Sequence, residues 1–203
     1  MSLENLSSER ASDIRRAVQS RYRQVAAQPG GHVPYPIGRE SAENLGYDPS
    51  WLRALPVEVV DRFVGVGNPF SIRKPGPGER VLDAGCGCGM DSFVAALLVG
   101  ETGQVSGVDL TIEMLALPRA AVDSFRQQNL EFREASIEAL PYEDGSFDLA
   151  ISNGVLNLIP DKKAAFSELA RILKPEGTLV AADLLVIEEI PEEVLASKDA
   201  WST

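Results

Sequence analysis

Cysteine, histidine and long apolar runs are scarce in this chain of 203 residues. Its two cysteines, Cys86 and Cys88, are separated by a single residue, so they are too close for an ordinary disulfide and too few for a zinc site. No apolar run reaches the roughly 18 residues of a membrane-spanning helix, and the N-terminus lacks the apolar core of a signal peptide. These absences predict a cytoplasmic protein with no bound metal and no membrane partner.

Basic residues are also in the minority. Nineteen Lys and Arg residues stand against thirty Asp and Glu residues, which gives a net charge of −11. An acidic chain repels phosphate backbones unless it carries a local basic patch, and no such patch is evident in the sequence. Nucleic acid is therefore not an expected partner.

The first part of the chain is predicted to be a helical extension. Residues 11–28 place four apolar side chains on one helical face, which are Ile14, Val18, Tyr22 and Val25. The arginines between them are expected to face solvent. A segment rich in glycine and proline follows, and a second one, at 67–78, marks a boundary. We therefore expect a helical cap over residues 1–75 and a separate domain over residues 76–203.

From Arg80 onward, short apolar strands alternate with helices. The predicted strands are 80–84, 104–109, 130–135, 147–152 and 178–187, and the predicted helices are 89–99, 111–128 and 161–173. This alternation is typical of a Rossmann-like, doubly wound parallel α/β sheet. Pro118 is expected to break or kink the second of these helices.

The third helix of this region has recognisable signals at both ends. Asp161 is the expected N-cap, and the segment 174–177 (KPEG) is the expected stop. The predicted apolar face consists of Ala165, Phe166, Leu169 and Ile172.

The most informative stretch is VLDAGCGCGMD at 81–91, where a strand runs into a glycine turn that opens a helix. Glycines let a ligand approach the backbone, and the amides at a helix start favour an anionic group. Asp109 ends the next strand, where a carboxylate can accept hydrogen bonds from both ribose hydroxyls of a nucleoside. Together these features predict an adenosine-type ligand at the carboxyl edge of the sheet.

The charges beside the turn favour one ligand of that type. A dinucleotide fingerprint reads G-x-G-x-x-G, whereas this turn reads G-x-G-x-G and is flanked by Asp83 and Asp91. Two carboxylates would repel a pyrophosphate. S-adenosylmethionine carries an ammonium, a sulfonium and only one carboxylate, so the acidic flanks suit it better.

These motifs resemble the class I S-adenosylmethionine-dependent methyltransferases. The similarity extends to the arsenite methyltransferases through GVGNP at 65–69, GVDLT at 107–111 and SNGVLNLIPDK at 152–162. The resemblance implies contacts with S-adenosylmethionine from Asp83, Gly85, Cys86, Gly87, Gly89, Asp109, Leu110, Met114, Ser136, Ile137 and Asn153. Val155 and Leu158 are further candidates. The family also implies an acceptor that is a small molecule.

Two departures from the family pattern bear on the acceptor and on assembly. Arsenite methyltransferases place arsenic-binding cysteines where this chain has Val66 and Gly154, so the soft ligands for trivalent arsenic are missing. The family usually adds two strands after the fifth, and the sequence ends before them. Either the sheet is short or the chain continues in a longer protein; an exposed fifth strand would allow a homodimer.

The sequence therefore predicts a methyltransferase that acts by in-line transfer to a small molecule. Two alternatives stay open, which are a catalytically silent cofactor-binding protein and a nicotinamide-dependent oxidoreductase. No catalytic residue is assigned. His32 and Tyr35, in the first segment rich in glycine and proline, are hypotheses for a role on the substrate side.

Overall fold

A five-stranded parallel sheet lies at the centre of the computed structural model, which describes residues 7–28, 36–125 and 128–185. The strands are β1 (Arg80–Ala84), β2 (Gln104–Asp109), β3 (Leu130–Glu134), β4 (Phe147–Asn153) and β5 (Leu173–Ala182). Their order is β3-β2-β1-β4-β5, and every neighbouring pair is parallel. The predicted doubly wound α/β sheet is confirmed.

Helices precede the sheet and connect its strands. The first group is α1 (Ser8–Ala27), α2 (Gly38–Asn44), α3 (Pro49–Ala54) and α4 (Val57–Asp61), and the connecting helices are α5 (Met90–Val99), α6 (Ala116–Val122) and α7 (Lys162–Ile172). Helix α5 joins β1 to β2, α6 joins β2 to β3, and α7 joins β4 to β5. The strands β1, β2 and β3 follow one another toward one edge of the sheet. The chain then returns past β1 and adds β4 and β5 on its other side, so the strand order reverses between β1 and β4.

The core has two layers because successive strand residues face opposite sides of the sheet. Val81 packs with Phe93 of α5 in one apolar cluster, and Leu82 packs with Leu169 of α7 in the other. The side chain of Asp83 is on the same face as that of Val81. This alternation therefore directs the carboxylate of Asp83 toward the α5 side of the sheet.

Helix α6 is shorter than the predicted helix 111–128. Residues 112–115 form turns, and the regular helix begins at Ala116 and ends at Val122. Pro118 is the third helical residue, where an N–H has no partner within the helix, so the proline is accommodated in the first turn. Residues 126 and 127 lie outside the described part of the chain.

Strand β5 is displaced from the predicted strand 178–187. It begins at Leu173, directly after α7, and ends at Ala182. The predicted stop at 174–177 is instead an irregularity within the strand, since Leu173 pairs with Phe147 and Thr178 pairs with Leu149. Glu176 adopts a φ of 68° there. Residues 183–185 are not in a strand, and 186–187 lie outside the described residues.

The cap of α7 is confirmed and its apolar face is partly wrong. The side chain of Asp161 accepts a hydrogen bond from the backbone N–H of Ala164 at 2.9 Å. Ala165, Leu169 and Ile172 are buried as predicted, but Phe166 is 47% exposed. None of the helices in the described residues is long and apolar enough to cross a membrane.

Candidate functional site

An open cleft lies at the carboxyl ends of β1, β2 and β4, beside the point where the strand order reverses. Its volume is about 990 Å³, with the solvent at its mouth included. Ligand sites of open α/β sheets occur at this position. Most of the predicted cofactor residues line the cleft, namely Asp83, Gly85, Cys86, Gly87, Asp109, Leu110, Met114, Ser136, Ile137 and Asn153.

The turn from β1 into α5 depends on three glycines. Gly85, Gly87 and Gly89 have φ values of 82°, 53° and 88°, in the left-handed region that other residues rarely adopt. A Cβ at position 85 would lie 2.5 Å from the side chain of Val155, so there is no space for a side chain at this position. Gly89 lies behind the turn, where a Cβ would meet Pro118 and Phe132, and it does not line the cleft.

Backbone N–H groups of the turn are already engaged with β2. Gly85 and Cys86 both donate to the carbonyl of Val108 at 2.8 Å. Gly87 donates to Oδ2 of Asp109 at 3.0 Å. These bonds fix the turn against the end of β2 and hold Asp109 at the cleft.

Asp109 retains acceptor capacity for a ligand. Its Oδ1 accepts from the N–H of Thr111 at 2.8 Å, and its Oδ2 accepts from Gly87. Each carboxylate oxygen can accept a second hydrogen bond. Exclusion of water by the surrounding protein raises the pKa of this carboxyl to about 6.

Asp83 is a buried acid whose hydrogen-bond partner carries no charge. It is 2% exposed, and its Oδ2 accepts from the hydroxyl of Ser92 at 2.6 Å. Burial, followed by the charge of Asp91, raises the pKa of Asp83 to about 8. A buried carboxylate without a cation is unfavourable, so a positively charged ligand would relieve this arrangement.

Asp91 and Asn153 lie beside Asp83 and belong to one network. Oδ1 of Asp91 accepts from the hydroxyl of Tyr47 at 2.6 Å, and Oδ2 accepts from Nδ2 of Asn153 at 2.9 Å. Oδ1 of Asn153 accepts from the N–H groups of Val66 and Gly67 at 2.9 and 3.1 Å. Burial raises the pKa of Asp91 to about 6. From the sequence, Asp91 is predicted only as a charge that flanks the turn, and Tyr47 is not predicted to belong to the site.

Helix α1 supplies a wall that the sequence analysis did not assign to the site. Arg15, Val18 and Tyr22 line the cleft. Arg15 forms a two-pronged ion pair with Glu138, with Nε–Oε2 and Nη2–Oε1 distances of 2.6 and 2.8 Å. The prediction that the arginines of this helix face solvent is therefore wrong for Arg15. The apolar stripe through Val18 and Tyr22 was the available signal that this face is covered.

The side of the cleft near the end of β4 is apolar. It is formed by Phe63, Val64, Val155, Leu158 and Ile159. Gly154 also lines this side, and a Cβ added to it would lie 3.3 Å from the side chain of Val66. Positions 66 and 154 are therefore neighbours in space, and neither carries a thiol.

Neither cysteine offers a reactive or metal-binding group. Cys86 and Cys88 are free thiols and are buried. Burial raises the pKa of Cys88 to about 12 and also raises the pKa of Cys86, so both stay protonated at neutral pH. Among the described residues, no cluster of three His, Cys, Asp or Glu side chains could hold a metal. His32 and Tyr35 lie outside the described residues.

A family model described as a methyltransferase domain matches residues 75–202. The chain belongs to this methyltransferase family. Its sequence is 38% identical over 159 residues to the arsenite methyltransferase of Halobacterium salinarum, covering 78% of this chain and 40% of that protein. It is 35% identical over 106 residues to the demethylmenaquinone methyltransferase of Lactococcus lactis, covering 52% of this chain and 42% of that protein.

A solved structure supports the fold assignment of this methyltransferase domain. The crystal structure of an arsenic(III) S-adenosylmethionine methyltransferase from Chlamydomonas reinhardtii matches with a TM-score of 0.66 and 40% sequence identity. The match covers 73% of this chain and 53% of that one. The chain thus spans about half the length of the relatives that it matches or less.

Proposed function

We propose that this chain binds S-adenosylmethionine in the cleft and transfers its methyl group to a small-molecule acceptor. One observation carries the proposal. Asp83, Asp91 and Asp109 converge on the cleft, and their hydrogen-bond partners are hydroxyl, amide and backbone N–H groups. A ligand with a sulfonium and an ammonium supplies the positive charge that these carboxylates lack.

Different residues along the sheet edge suit different parts of S-adenosylmethionine. Asp109 would accept the ribose hydroxyls, and Asp83 would pair with the ammonium. The adenine would lie among Leu110, Met114, Ser136 and Ile137. The methionine carboxylate is assigned to the end of the glycine turn beside the start of α5, because the N-terminal end of a helix favours an anion.

S-adenosylmethionine supplies an activated methyl group on a sulfonium sulfur. The residues of the chain therefore need only orient the reactants and exclude water. Positioning of this kind can contribute about 7–11 kcal/mol, so no acid or base is mandatory. Asn153, fixed by Val66, Gly67 and Asp91, provides a rigid border between the donor and the acceptor side.

The acceptor side supports a small molecule that does not require thiol capture. The wall near Phe63, Val64 and Leu158 is apolar and would bind a largely apolar acceptor. The relatives include an arsenite methyltransferase and a demethylmenaquinone methyltransferase. Because Val66 and Gly154 bring no sulfur to the cleft, we propose an acceptor other than trivalent arsenic.

We further propose that residues 1–75 act as a cap on a donor-binding domain at 76–203. The contacts of α1 support this division. Arg15 pairs with Glu138, and Nε2 of Gln19 donates to the carbonyl of Leu110 at 3.0 Å. Both contacts are to loops that the proposal assigns to the adenine. Roles for His32 and Tyr35 on the acceptor side remain a hypothesis that alanine variants of either would test.

Partners and location are also proposals. The acidic charge supports the absence of a nucleic-acid partner, and the reduced cysteines support a cytoplasmic location. Strand β5 lies at an edge of the sheet, where a second copy could pair. Sedimentation at several concentrations tests the homodimer, and a single monomeric species at all of them would exclude it.

The experiment that tests the proposed activity combines titration calorimetry with a turnover assay. The chain is expected to bind S-adenosylmethionine and S-adenosylhomocysteine but not NAD, and to release S-adenosylhomocysteine with a panel of phenols, quinones, amines and thiols. Binding without turnover on any acceptor would favour the silent cofactor-binding protein. Binding of NAD alone would favour the oxidoreductase.

A further inference from the structure

Tyr47 is a buried tyrosine that comes from the N-terminal part of the chain, shortly after α2. It is 2% exposed. Its ring packs edge-on against Phe63 and Phe70, with centroid distances of 5.4 and 6.2 Å. These contacts hold the ring in the apolar core, with the hydroxyl beside Asp91 in the first turn of α5.

The hydroxyl of Tyr47 closes a three-membered network. It donates to Oδ1 of Asp91 at 2.6 Å and lies 3.2 Å from both Nδ2 of Asn153 and the carbonyl oxygen of Gly67. The same Nδ2 lies 2.9 Å from Oδ2 of Asp91. Both oxygens of the Asp91 carboxylate are therefore fixed, one by each partner.

The network is also anchored to the backbone on the acceptor side. Nδ2 of Asn153 donates to the carbonyl of Gly67 at 2.8 Å, and Oδ1 accepts from the N–H groups of Val66 and Gly67. Tyr47 thus connects the loop at 65–67, the end of β4 and the start of α5. A change in its hydroxyl reaches Asp91 without altering the apolar packing of the ring.

The position of Asp91 distinguishes it from the other two carboxylates of the cleft. Asp109 lies at the end of β2, and Asp83 lies on β1 with Ser92 as its partner. Asp91 is joined to Asn153 and to the loop that leads into the apolar acceptor wall. Through Asn153 it is therefore connected to the side of the cleft that the proposed function assigns to the acceptor.

We propose that Tyr47 is a positioning residue for the methyl donor: it holds the Asp91 carboxylate so that its charge favours the sulfonium form of the ligand over the neutral thioether form. The inference rests on the proposed function. Its physical basis is that a fixed anion in a site of low dielectric constant stabilises a nearby cation more than an anion that can rotate away. It makes the N-terminal segment part of the donor site.

The test compares two ligands that differ by one methyl group and one charge. Dissociation constants of S-adenosylmethionine and S-adenosylhomocysteine are measured by calorimetry for the wild-type chain and for Tyr47→Phe. The variant is expected to bind S-adenosylmethionine about tenfold more weakly and S-adenosylhomocysteine within about twofold of wild type. Tyr142→Phe removes the same hydroxyl from a ring that packs against Phe147, away from the cleft, and should change neither constant.

Two further variants keep the test decisive. Asp91→Asn should lower the preference for the charged ligand at least as much as Tyr47→Phe, and the double variant should add little to Asp91→Asn. A Tyr47→Phe chain that does not fold would also overturn the inference, which assigns the hydroxyl to the donor site rather than to folding. Equal weakening of both ligands, or no change in either, would overturn the inference. If the wild-type chain binds neither ligand, the proposed function fails first and the inference fails with it.

Discussion

The two walls of the cleft are built in different ways. The wall formed by β1, the glycine turn, α5 and β2 comes from one continuous stretch, and its key carboxylates are Asp83 and Asp109. The wall formed by α1 and the loop at 65–67 depends on contacts between distant parts of the chain. Arg15 and Glu138, for example, are 123 positions apart. The first wall holds features common to many nucleoside-binding sheets, whereas the proposed function assigns to the second wall the covering and orientation of the ligand.

The continuous wall is expected to be the more sensitive to a single added methyl group. Gly85→Ala places a Cβ 2.5 Å from Val155 at a φ of 82°, so it combines backbone strain with a clash. We expect S-adenosylmethionine binding to be lost and the free energy of unfolding to fall by about 2–4 kcal/mol. Calorimetry and urea titration measure the two effects.

Gly46→Ala is the matched control for this variant. Gly46 has a similar φ of 80°, but a Cβ there would meet no atom within 4 Å. It should cost only the strain, about 1 kcal/mol, and leave binding intact. Equal losses in the two variants would mean that the contact with Val155 does not shape the turn.

Removal of the Asp109 carboxylate should weaken the binding of S-adenosylmethionine without unfolding the chain. Asp109→Ala is expected to reduce the binding free energy of S-adenosylmethionine by about 1.5–3 kcal/mol, because hydrogen bonds to a charged group are lost. Asp148→Ala is the control. That carboxylate also accepts from a backbone N–H, of Arg80 at 2.9 Å, but it lies outside the cleft. An unchanged affinity for Asp109→Ala would refute its assignment to the ribose.

The wall from α1 should contribute less, because the Arg15 side chain is 35% exposed and solvent weakens its ion pair. Arg15→Met is expected to raise the dissociation rate of S-adenosylmethionine by about three- to fivefold, as measured by stopped-flow. Arg16→Met removes an arginine whose ion pair, with Asp13, stays within α1, and it should have no effect. Equal rates for both variants would show that α1 does not retain the donor.

The buried carboxylates predict a pH dependence of stability. Burial raises the pKa of Asp83 to about 8 and that of Asp91 to about 6, above their usual values. The folded state then binds more protons than the unfolded state between about pH 4 and 8, so unfolding becomes easier as pH rises through this range. The melting temperature of the ligand-free chain should therefore fall by a few degrees from pH 5.5 to 8.

Binding of the cationic S-adenosylmethionine should oppose the loss of stability at high pH. The thermal shift caused by S-adenosylmethionine is expected to be larger at pH 8 than at pH 5.5, and Asp83→Asn should flatten the pH dependence of the ligand-free chain. A melting temperature that rises over the same range in the wild type, with an equal ligand shift at both pH values, would contradict the charge argument.

The same division between local and distant contacts explains what the sequence could predict. The bounds of β1 and β2 and the cap at Asp161 depend on neighbouring residues, and the structure confirms them. The predicted bounds of β5 are wrong because its pairing with β4, rather than the local stop at 174–177, determines where the strand begins. Pro118 was expected to disturb a helix that instead starts just before it.

The wall formed by α1 and the loop at 65–67 is harder to predict from the sequence. An arginine on an amphipathic helix usually faces water, and nothing local indicates that Arg15 meets Glu138. Tyr47 lies in a segment without a recognisable motif, so its contact with Asp91 emerges only when α5 and the end of β4 are brought together. The family motif therefore indicates the type of ligand but not the distant residues around the cleft.

The most direct test of this account is a crystal structure of the chain with S-adenosylhomocysteine. We expect the ligand in the cleft at the ends of β1 and β2, with both ribose hydroxyls within hydrogen-bond distance of Asp109 and the amino group close to Asp83. A ligand bound elsewhere, or a cleft closed by protein side chains when the ligand is in excess, would contradict the account.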